Sequence, residues 1–86
     1  MKFKLSRHVE QEMKRRNIPR ALLQSVLDSP QQIVAADRGR KAYQSQLDFG
    51  SGRVFLLRAI VVDSVDPAIV VTVYRTTKIK KYWSGP

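Results

Sequence analysis

From residue 6 onwards the spacing of apolar residues changes once, at Pro30, and this change restricts the folds open to the chain. Before Pro30 the spacing is helical, as at Leu23, Val26 and Leu27. After Pro30 apolar and polar residues alternate with a period of two, which is typical of strands that bury one face. The sequence therefore predicts helices first and a sheet second, an arrangement of the α+β class.

Two short helices are expected in the first third of the chain. Ser6 is a suitable N-cap for the first helix. Asn17 can end that helix in the left-handed conformation, and Pro19 suits the first turn of the second helix. The segment KFKL, residues 2–5, alternates charged and apolar residues as a short edge strand does. A strand followed by a helical hairpin is thus predicted.

Four antiparallel strands are predicted after the helices. The turns between them are the segments DRG, GSG and DSVDP, at residues 37–39, 50–52 and 63–67. The strand over 53–62 is apolar on both faces except at Arg58, which predicts a central position. We expect one domain over residues 1–86, with both helices on one face of a four-stranded sheet and a flexible C-terminal tail over about 77–86.

The alternation also assigns the two faces of this sheet. The residues expected against the helices are Tyr43, Leu47, Phe49, Phe55, Leu57, Ile69, Val71 and Val73. The residues expected on the opposite face are Gln44, Gln46, Arg58, Thr72 and Tyr74. A sheet that is covered on one side only can bind a ligand with its polar side.

Positive charge is concentrated at the two ends of the chain. Sixteen Lys and Arg residues against seven Asp and Glu give a net charge of +9. Residues 1–20 contribute +5, residues 21–67 balance to zero, and residues 68–86 contribute +4. If the fold brings the ends together, one surface becomes strongly basic and attracts phosphate backbones. Basic charge also keeps small proteins soluble, but solubility does not require this segregation.

The composition excludes several classes of site. The chain has no cysteine, which removes disulfides, thiolate catalysis and cysteine-ligated zinc. No His, Asp or Glu cluster has the spacing of metal ligands, and no glycine-rich phosphate loop precedes a helix, so neither metal nor cofactor is expected. The apolar stretches are too short to cross a bilayer and the N-terminus lacks a secretion signal, so we expect a cytoplasmic protein without a membrane partner.

The remaining residue types suit cleavage of RNA without a metal. RNA carries its own nucleophile, the 2′-OH, so a protein must only move protons and offset charge on the phosphorane. The candidates for proton transfer are His8, Tyr74 and Tyr82. The candidates for contacts to the nucleic acid are Arg15, Arg16, Arg58, Arg75, Lys78, Lys80, Lys81 and Trp83.

Each candidate also has an ordinary structural interpretation. His8 is a lone histidine at a helix start, where surface histidines are common. Arg15 can complement the helix dipole, and Tyr82 and Trp83 can hold the tail to the body. Arg58 is harder to explain structurally, because a cation within an apolar strand must reach water, a carboxylate or a ligand phosphate.

Four segments of the chain are similar to the family catalogued as domain of unknown function 4258. They are HVEQEMKRRNIP, LDSPQQI, GRKAYQ and IVVTVYRTTKIKKYW. The similarity spans roughly residues 7–82. That family resembles the RelE-like members of the barnase–EndoU–colicin–RelE group of small ribonucleases. The resemblance implies roles for matching positions, namely His8, Arg15 or Arg16, Tyr43, Thr72, Tyr74 and Tyr82. It also implies, for a toxin of this type, an acidic antitoxin partner.

Three functional hypotheses follow from the sequence. The first is a metal-independent endoribonuclease, toxin-like, in which His8 is acid or base and Tyr82 or Tyr74 assists. The second is a non-catalytic nucleic-acid-binding or adaptor domain that uses the same basic surface. The third is a protein-binding module for an acidic partner. Cleavage of RNA distinguishes the first from the second, and RNA affinity at low salt distinguishes both from the third.

Overall fold

A five-stranded sheet carries two helices on one face and a single helical turn on the other in the computed structural model, which describes residues 2–85. The elements are β1 (Phe3–Leu5), α1 (Arg7–Arg15), α2 (Arg20–Asp28), β2 (Gln32–Ala35), β3 (Lys41–Asp48), β4 (Val54–Val62), β5 (Ala68–Thr76) and α3 (Ile79–Tyr82). The α+β class is confirmed. Within the described range, no helix is long and apolar enough to span a bilayer.

The helix boundaries follow the local signals in the sequence. The Ser6 hydroxyl accepts a hydrogen bond from the Val9 backbone N–H at 3.2 Å, which caps α1 as predicted. The same hydroxyl donates to the Val71 carbonyl at 3.3 Å, so the start of α1 is tied to β5. Asn17 adopts a positive φ of 51° after α1, and Pro19 is the N-cap of α2.

The sheet has the strand order β1-β5-β4-β3-β2. The central position predicted for the strand that contains Arg58 is confirmed, since β4 lies in the middle. The four strands after the helices pair antiparallel as predicted. The prediction of a four-stranded sheet is wrong, because β1 joins the sheet as a fifth strand. It runs parallel to β5, with Phe3 opposite Ala68 and Leu5 opposite Val70. It thereby supplies partners to backbone groups of β5 that would otherwise lack them.

The core lies between the helices and one face of the sheet. The helical contribution is Val9, Met13, Leu23, Val26 and Leu27. The contribution of the sheet is Tyr43, Leu57, Ala59, Val61, Ala68, Val70 and Val73. Both long helices therefore pack on the same face, as predicted. We call the opposite face of the sheet the open face.

One part of the predicted face assignment is wrong. Ile69 and Val71 were expected against the helices, but Ala68 and Val70 are the buried residues there. The pairing of β4 with β5 shifts by one residue beside Val71. Such a bulge moves every side chain on one side of it to the other face. Beyond the bulge the predicted alternation returns, and Val73 is fully buried.

The chain after β5 crosses the open face. The Gln44 side-chain amide donates to the Tyr82 carbonyl at 3.1 Å, and the Gln32 amide donates to the Ser84 carbonyl at 2.7 Å. Because Gln44 is on β3 and Gln32 on β2, residues 77–85 run from β5 to the far edge of the sheet. We call this segment the strap. Flexibility over 77–86 stays a prediction, and Pro86 lies outside the described residues.

Candidate functional site

A row of three polar side chains crosses the open face. Gln44 on β3, Arg58 on β4 and Tyr74 on β5 occupy directly paired positions. Arg58 is buried, with 8% of its surface exposed. Its Nε donates to Gln44 Oε1 at 2.8 Å and its Nη1 donates to the Tyr74 hydroxyl at 2.5 Å. The neighbouring strands thus hold the guanidinium in one orientation, as the predicted face assignment implies.

The strap places an aromatic ring on this guanidinium. The Tyr82 ring centroid lies 4.2 Å from Arg58 Cζ, and the Tyr74 centroid lies 5.7 Å from it. A cation at these distances is attracted by the electron-rich face of the ring. The two tyrosine rings also meet edge to face, with centroids 6.1 Å apart. Tyr82 and Tyr74 therefore surround Arg58 on the strap side and on the β5 side.

Arg58 lacks an acidic partner in the part of the chain that the structure describes. None of the ion pairs formed within residues 2–85 involves it. Its acceptors, Gln44 and Tyr74, are neutral, so they orient the charge without cancelling it. Burying a charge without a counterion is costly unless water or a ligand compensates it.

Arg58 opens into a cavity of about 460 Å³. The polar residues that line it are Asp37, Arg40, Arg58, Thr72, Tyr74 and Tyr82. Among residues 2–85, no hydrogen bond uses Nη2 of Arg58, so this nitrogen is available to a ligand there. We call this space the Arg58 cavity. Its cations are Arg58 and Arg40, and its carboxylate is Asp37.

The environment separates the pKa values of the two tyrosines. Burial raises the pKa of Tyr74 above its ordinary value of 10.0, and the Arg58 charge offsets only part of this effect. At Tyr82 the same desolvation is outweighed by polar contact with Tyr74 and by the charges of Lys81 and Arg58, so its pKa is lowered. Tyr82 is consequently the more readily ionised of the pair, and the ionised form is the one that can accept a proton.

His8 reaches the Arg58 cavity through one intervening residue. Its Nε2 lies 3.2 Å from Thr72 Oγ1, and Thr72 lines the cavity. The same nitrogen lies 4.0 Å from Glu12 Oε1. The His8 side chain is 56% exposed. The predicted proton-transfer residues His8, Tyr74 and Tyr82 thus lie around one region, with His8 at its rim.

Arg15 and Arg16 share one carboxylate. Glu12 is 7% exposed. Its oxygens accept from Arg15 Nε at 2.6 Å, from Arg15 Nη2 at 2.9 Å and from Arg16 Nε at 3.2 Å. The hydrogen bonds with Arg15, together with the bond from Arg16 and the charges of both arginines, outweigh the effect of burial and lower the pKa of Glu12 from 4.5 to about 2. The spacings of three and four residues along a helix could have identified this cluster from the sequence.

A second cavity joins the two basic ends of the chain. It has a volume of about 450 Å³ and lies where α1 ends beside the end of β5. Its lining residues with polar side chains are Arg15, Arg16, Asn17, Arg75, Thr76 and Thr77. We call it the β5-end cavity. The predicted approach of the two ends is therefore observed here.

The remaining predicted contacts lie on the strap. Lys78, Lys80 and Lys81 are exposed, and Trp83 is half-buried. The Lys81 Nζ lies 5.3 Å from the Tyr82 ring centroid. None of these four residues lines either cavity. Sequence reasoning assigned no site role to Glu12, Asp37, Arg40 or Gln44.

The ion pairs of Glu12 with Arg15 and Arg16 predict that the fold loses stability at acidic pH. Because the folded-state pKa of Glu12 lies below its ordinary value, the stabilisation is complete above about pH 4.5 and is lost as the pH falls towards 2. A Glu12→Gln variant should show a smaller drop in melting temperature between pH 5 and 2.5 than the parent chain. The control is Glu10→Gln, which removes an exposed carboxylate paired with Arg20. Equal pH profiles for all three chains would contradict the assignment.

Comparison with known proteins identifies one family. A family model described as Domain of unknown function (DUF4258) matches residues 5–75. The matched range covers α1, α2 and β2 to β4 completely, the last residue of β1, and β5 up to Arg75. The strap lies beyond the matched range. No curated protein matches the chain, and no solved structure matches it. Within the described residues, no group of three or more His, Asp or Glu side chains could hold a metal ion.

Proposed function

The chain belongs to the DUF4258 family, and from this premise we propose that it binds RNA on its open face and cleaves it by metal-independent transesterification. In this proposal the domain is a toxin-like endoribonuclease of RelE-like form that works in the cytoplasm. An acidic antitoxin protein is its proposed partner, because such a protein would cover the basic surface that the two ends of the chain form. The observation that carries the proposal is the buried Arg58 guanidinium. It forms no ion pair within residues 2–85 and faces a cavity.

A phosphate group suits the Arg58 cavity. Arginine presents a planar set of N–H donors, and charge-assisted hydrogen bonds to phosphate are roughly twice as strong as neutral ones. Gln44 and Tyr74 hold the guanidinium in place, so little side-chain entropy is lost when an anion binds. Arg40 adds a second cation to the lining.

Aromatic rings beside the cation favour a nucleic acid over a simple anion. Tyr82 and Tyr74 lie next to Arg58, and every base has a flat face that can stack on such rings. The net charge of +9 supplies a sequence-independent attraction for a phosphate backbone. Phosphate contacts, stacking and long-range charge together support nucleic-acid binding.

The chemistry supports RNA over DNA. In the proposed reaction the 2′-oxygen attacks phosphorus while its proton passes to a base, for which Tyr82 is suited by its lowered pKa. The bond from phosphorus to the 5′-oxygen breaks, and an acid, for which we propose His8, gives that oxygen a proton. Arg58 offsets the charge that develops on phosphorus. The products are a 2′,3′-cyclic phosphate and a 5′-hydroxyl.

One observation favours the non-catalytic alternative. His8 Nε2 faces Thr72 and Glu12, so this nitrogen must turn before it reaches a substrate in the Arg58 cavity. A nucleic-acid-binding or adaptor domain would need no such movement. Binding without cleavage is therefore the competing result in the experiment that follows.

The test uses end-labelled single-stranded RNA in EDTA, beside DNA of the same sequence and RNA methylated on its 2′-oxygens. We expect the parent chain to cut only the unmodified RNA and to leave 2′,3′-cyclic phosphate ends. His8→Ala should slow cleavage while the affinity for the methylated RNA stays unchanged. Salt-sensitive binding of all three strands without cleavage would support the non-catalytic domain. No binding to any of them at low salt would overturn both proposals.

A further inference from the structure

The β5-end cavity presents arginines that the Arg58 cavity does not use. We propose that it is a second phosphate-binding subsite, which holds the same RNA strand several nucleotides away from Arg58. This inference rests on the proposed function and specifies its substrate, a single strand long enough to occupy both cavities. Arg75 is the central residue of the subsite, supported by Arg15 and Arg16.

Arg75 is held with its hydrogen-bond donors unused. Its Cζ lies 4.7 Å from the Phe49 ring centroid and 4.6 Å from the Phe55 centroid. An attraction of this kind between a cation and a ring does not use up the N–H donors of the guanidinium. Within residues 2–85, no hydrogen bond or ion pair engages this guanidinium, although it lines the cavity. These donors are thus available to an anion in the cavity.

Arg15 and Arg16 add charge from the opposite wall. Glu12 fixes Arg15 through Nε and Nη2 and fixes Arg16 through Nε alone. Donors of both arginines, including Nη1 of each, remain unused by these bonds. Three arginines against one carboxylate leave a net charge of +2 around the cavity. A phosphodiester, with one negative charge, is an electrostatic match.

The two cavities are spaced along β5, but their central arginines lie on opposite faces of the sheet. Arg58 pairs with Tyr74 on the open face, whereas Arg75 pairs with Leu57 of the core. A strand that reaches both cavities must therefore pass around β5. Thr72 lines the Arg58 cavity and Thr76 lines the β5-end cavity. Four residues of strand cover roughly 13 Å. α1 runs beside β5 over this distance, since His8 meets Thr72 at its start and Arg16 shares a cavity with Thr76 at its end. A dinucleotide has one internal phosphate and can occupy one cavity only, whereas an octanucleotide can reach both.

The experiment compares two ligands, a dinucleotide and an octanucleotide without terminal phosphates, both methylated on their 2′-oxygens so that cleavage cannot interfere. Binding is measured by NMR titration at several salt concentrations. For Arg75→Gln we expect about a tenfold loss of affinity for the octanucleotide, as for one charge-assisted contact, and less than a twofold change for the dinucleotide. The slope of log affinity against log salt should fall by about 0.7 for the octanucleotide.

The matched control is Arg53→Gln. Arg53 also stacks on Phe55, at 5.3 Å, and carries the same charge, but it does not line the cavity. We expect this variant to keep most of its affinity for both ligands. Melting temperatures of both variants show whether the fold is retained. If Arg75→Gln unfolds the chain, Arg16→Gln replaces it in the same comparison, with the same expected loss.

Each outcome decides the inference. Selective weakening of the octanucleotide by Arg75→Gln supports a second subsite. Equal weakening of both ligands, no weakening, or the same effect from Arg53→Gln overturns it while the proposed RNA binding stands. Failure of the parent chain to bind either ligand overturns the proposed function itself, and the second subsite with it.

Discussion

Replacing Arg58 with methionine is expected to lower RNA affinity about a hundredfold. The substitution keeps a long flexible side chain but removes the charge and all five N–H donors. Because this guanidinium is 8% exposed, its interaction with phosphate is weakly screened, and removing such a buried charged partner costs roughly 2–5 kcal/mol. Fluorescence anisotropy with 2′-O-methylated RNA measures the change without interference from cleavage.

The fold should tolerate this change. Arg58→Met relieves the burial of a cation that has no acidic partner within residues 2–85, and this is stabilising. It also leaves the buried Gln44 Oε1 without its donor, which costs about 1–3 kcal/mol, and removes one donor from the partly buried Tyr74 hydroxyl at a smaller cost. We expect these effects to offset each other, so that the melting temperature changes by a few degrees. Arg20→Met, which removes an exposed arginine paired with Glu10, is the control.

Affinity that survives Arg58→Met, or falls equally in Arg20→Met, would contradict the proposed phosphate site. The first result would show that RNA binds elsewhere on the basic surface. The second would show that affinity follows net charge alone. If Arg58→Met keeps its fold and loses RNA affinity while Arg20→Met does not, Arg58 is buried for RNA binding and not for stability.

The helices and their ends could be predicted because their signals are local. Ser6 caps α1 through a residue three positions away, and Asn17 changes the direction of the chain by its own φ. The GSG segment likewise indicates a hairpin, and β3 and β4 meet there. In each case the deciding interaction lies within a few residues, so a sequence pattern contains it.

The errors in the fold come from interactions between distant parts of the chain. The bulge beside Val71 depends on how β5 fits against β4, and an alternation counted along one strand cannot place it. The pairing of β1 with β5 joins Phe3 to Ala68, which only the assembled sheet brings together. The crossing of the strap depends on side-chain amides of two other strands, Gln32 and Gln44.

The site was partly predictable for the same reasons. Arg58 was identifiable because a cation breaks an apolar strand, and the predicted central position of that strand is confirmed. Arg40 and Asp37 were not identifiable, because they follow β2 in a turn and reach the cavity only once the sheet has formed. The placement of Arg75 beside Phe49 and Phe55 likewise depends on neighbouring strands.

Tyr82→Phe is expected to slow RNA cleavage by roughly 10²–10⁴-fold while RNA affinity changes little. The phenylalanine ring can still stack on Arg58, where the present centroid distance is 4.2 Å, so binding through Arg58 is retained. Only the hydroxyl that we propose as the base is lost. Single-turnover cleavage with saturating protein separates this loss in rate from any change in affinity.

The pH dependence separates a proton acceptor from a structural residue. The pKa of Tyr82 is lowered, so the ionised fraction of this residue rises with pH below pH 10. In a His8→Ala background, which removes the proposed acid, the remaining cleavage rate should rise with this fraction. This rise should disappear in Tyr82→Phe. Tyr74→Phe is the matched control. It removes a hydroxyl that accepts a hydrogen bond from Arg58, and the pKa of Tyr74 is raised where that of Tyr82 is lowered. It should reduce affinity through the orientation of Arg58. It should also move the rise to higher pH without removing it, because contact with Tyr74 is one of the interactions that lower the pKa of Tyr82. A Tyr82→Phe variant that cleaves with the parent's rate and profile would remove Tyr82 from the reaction, since the strap would then supply only a ring for the cation.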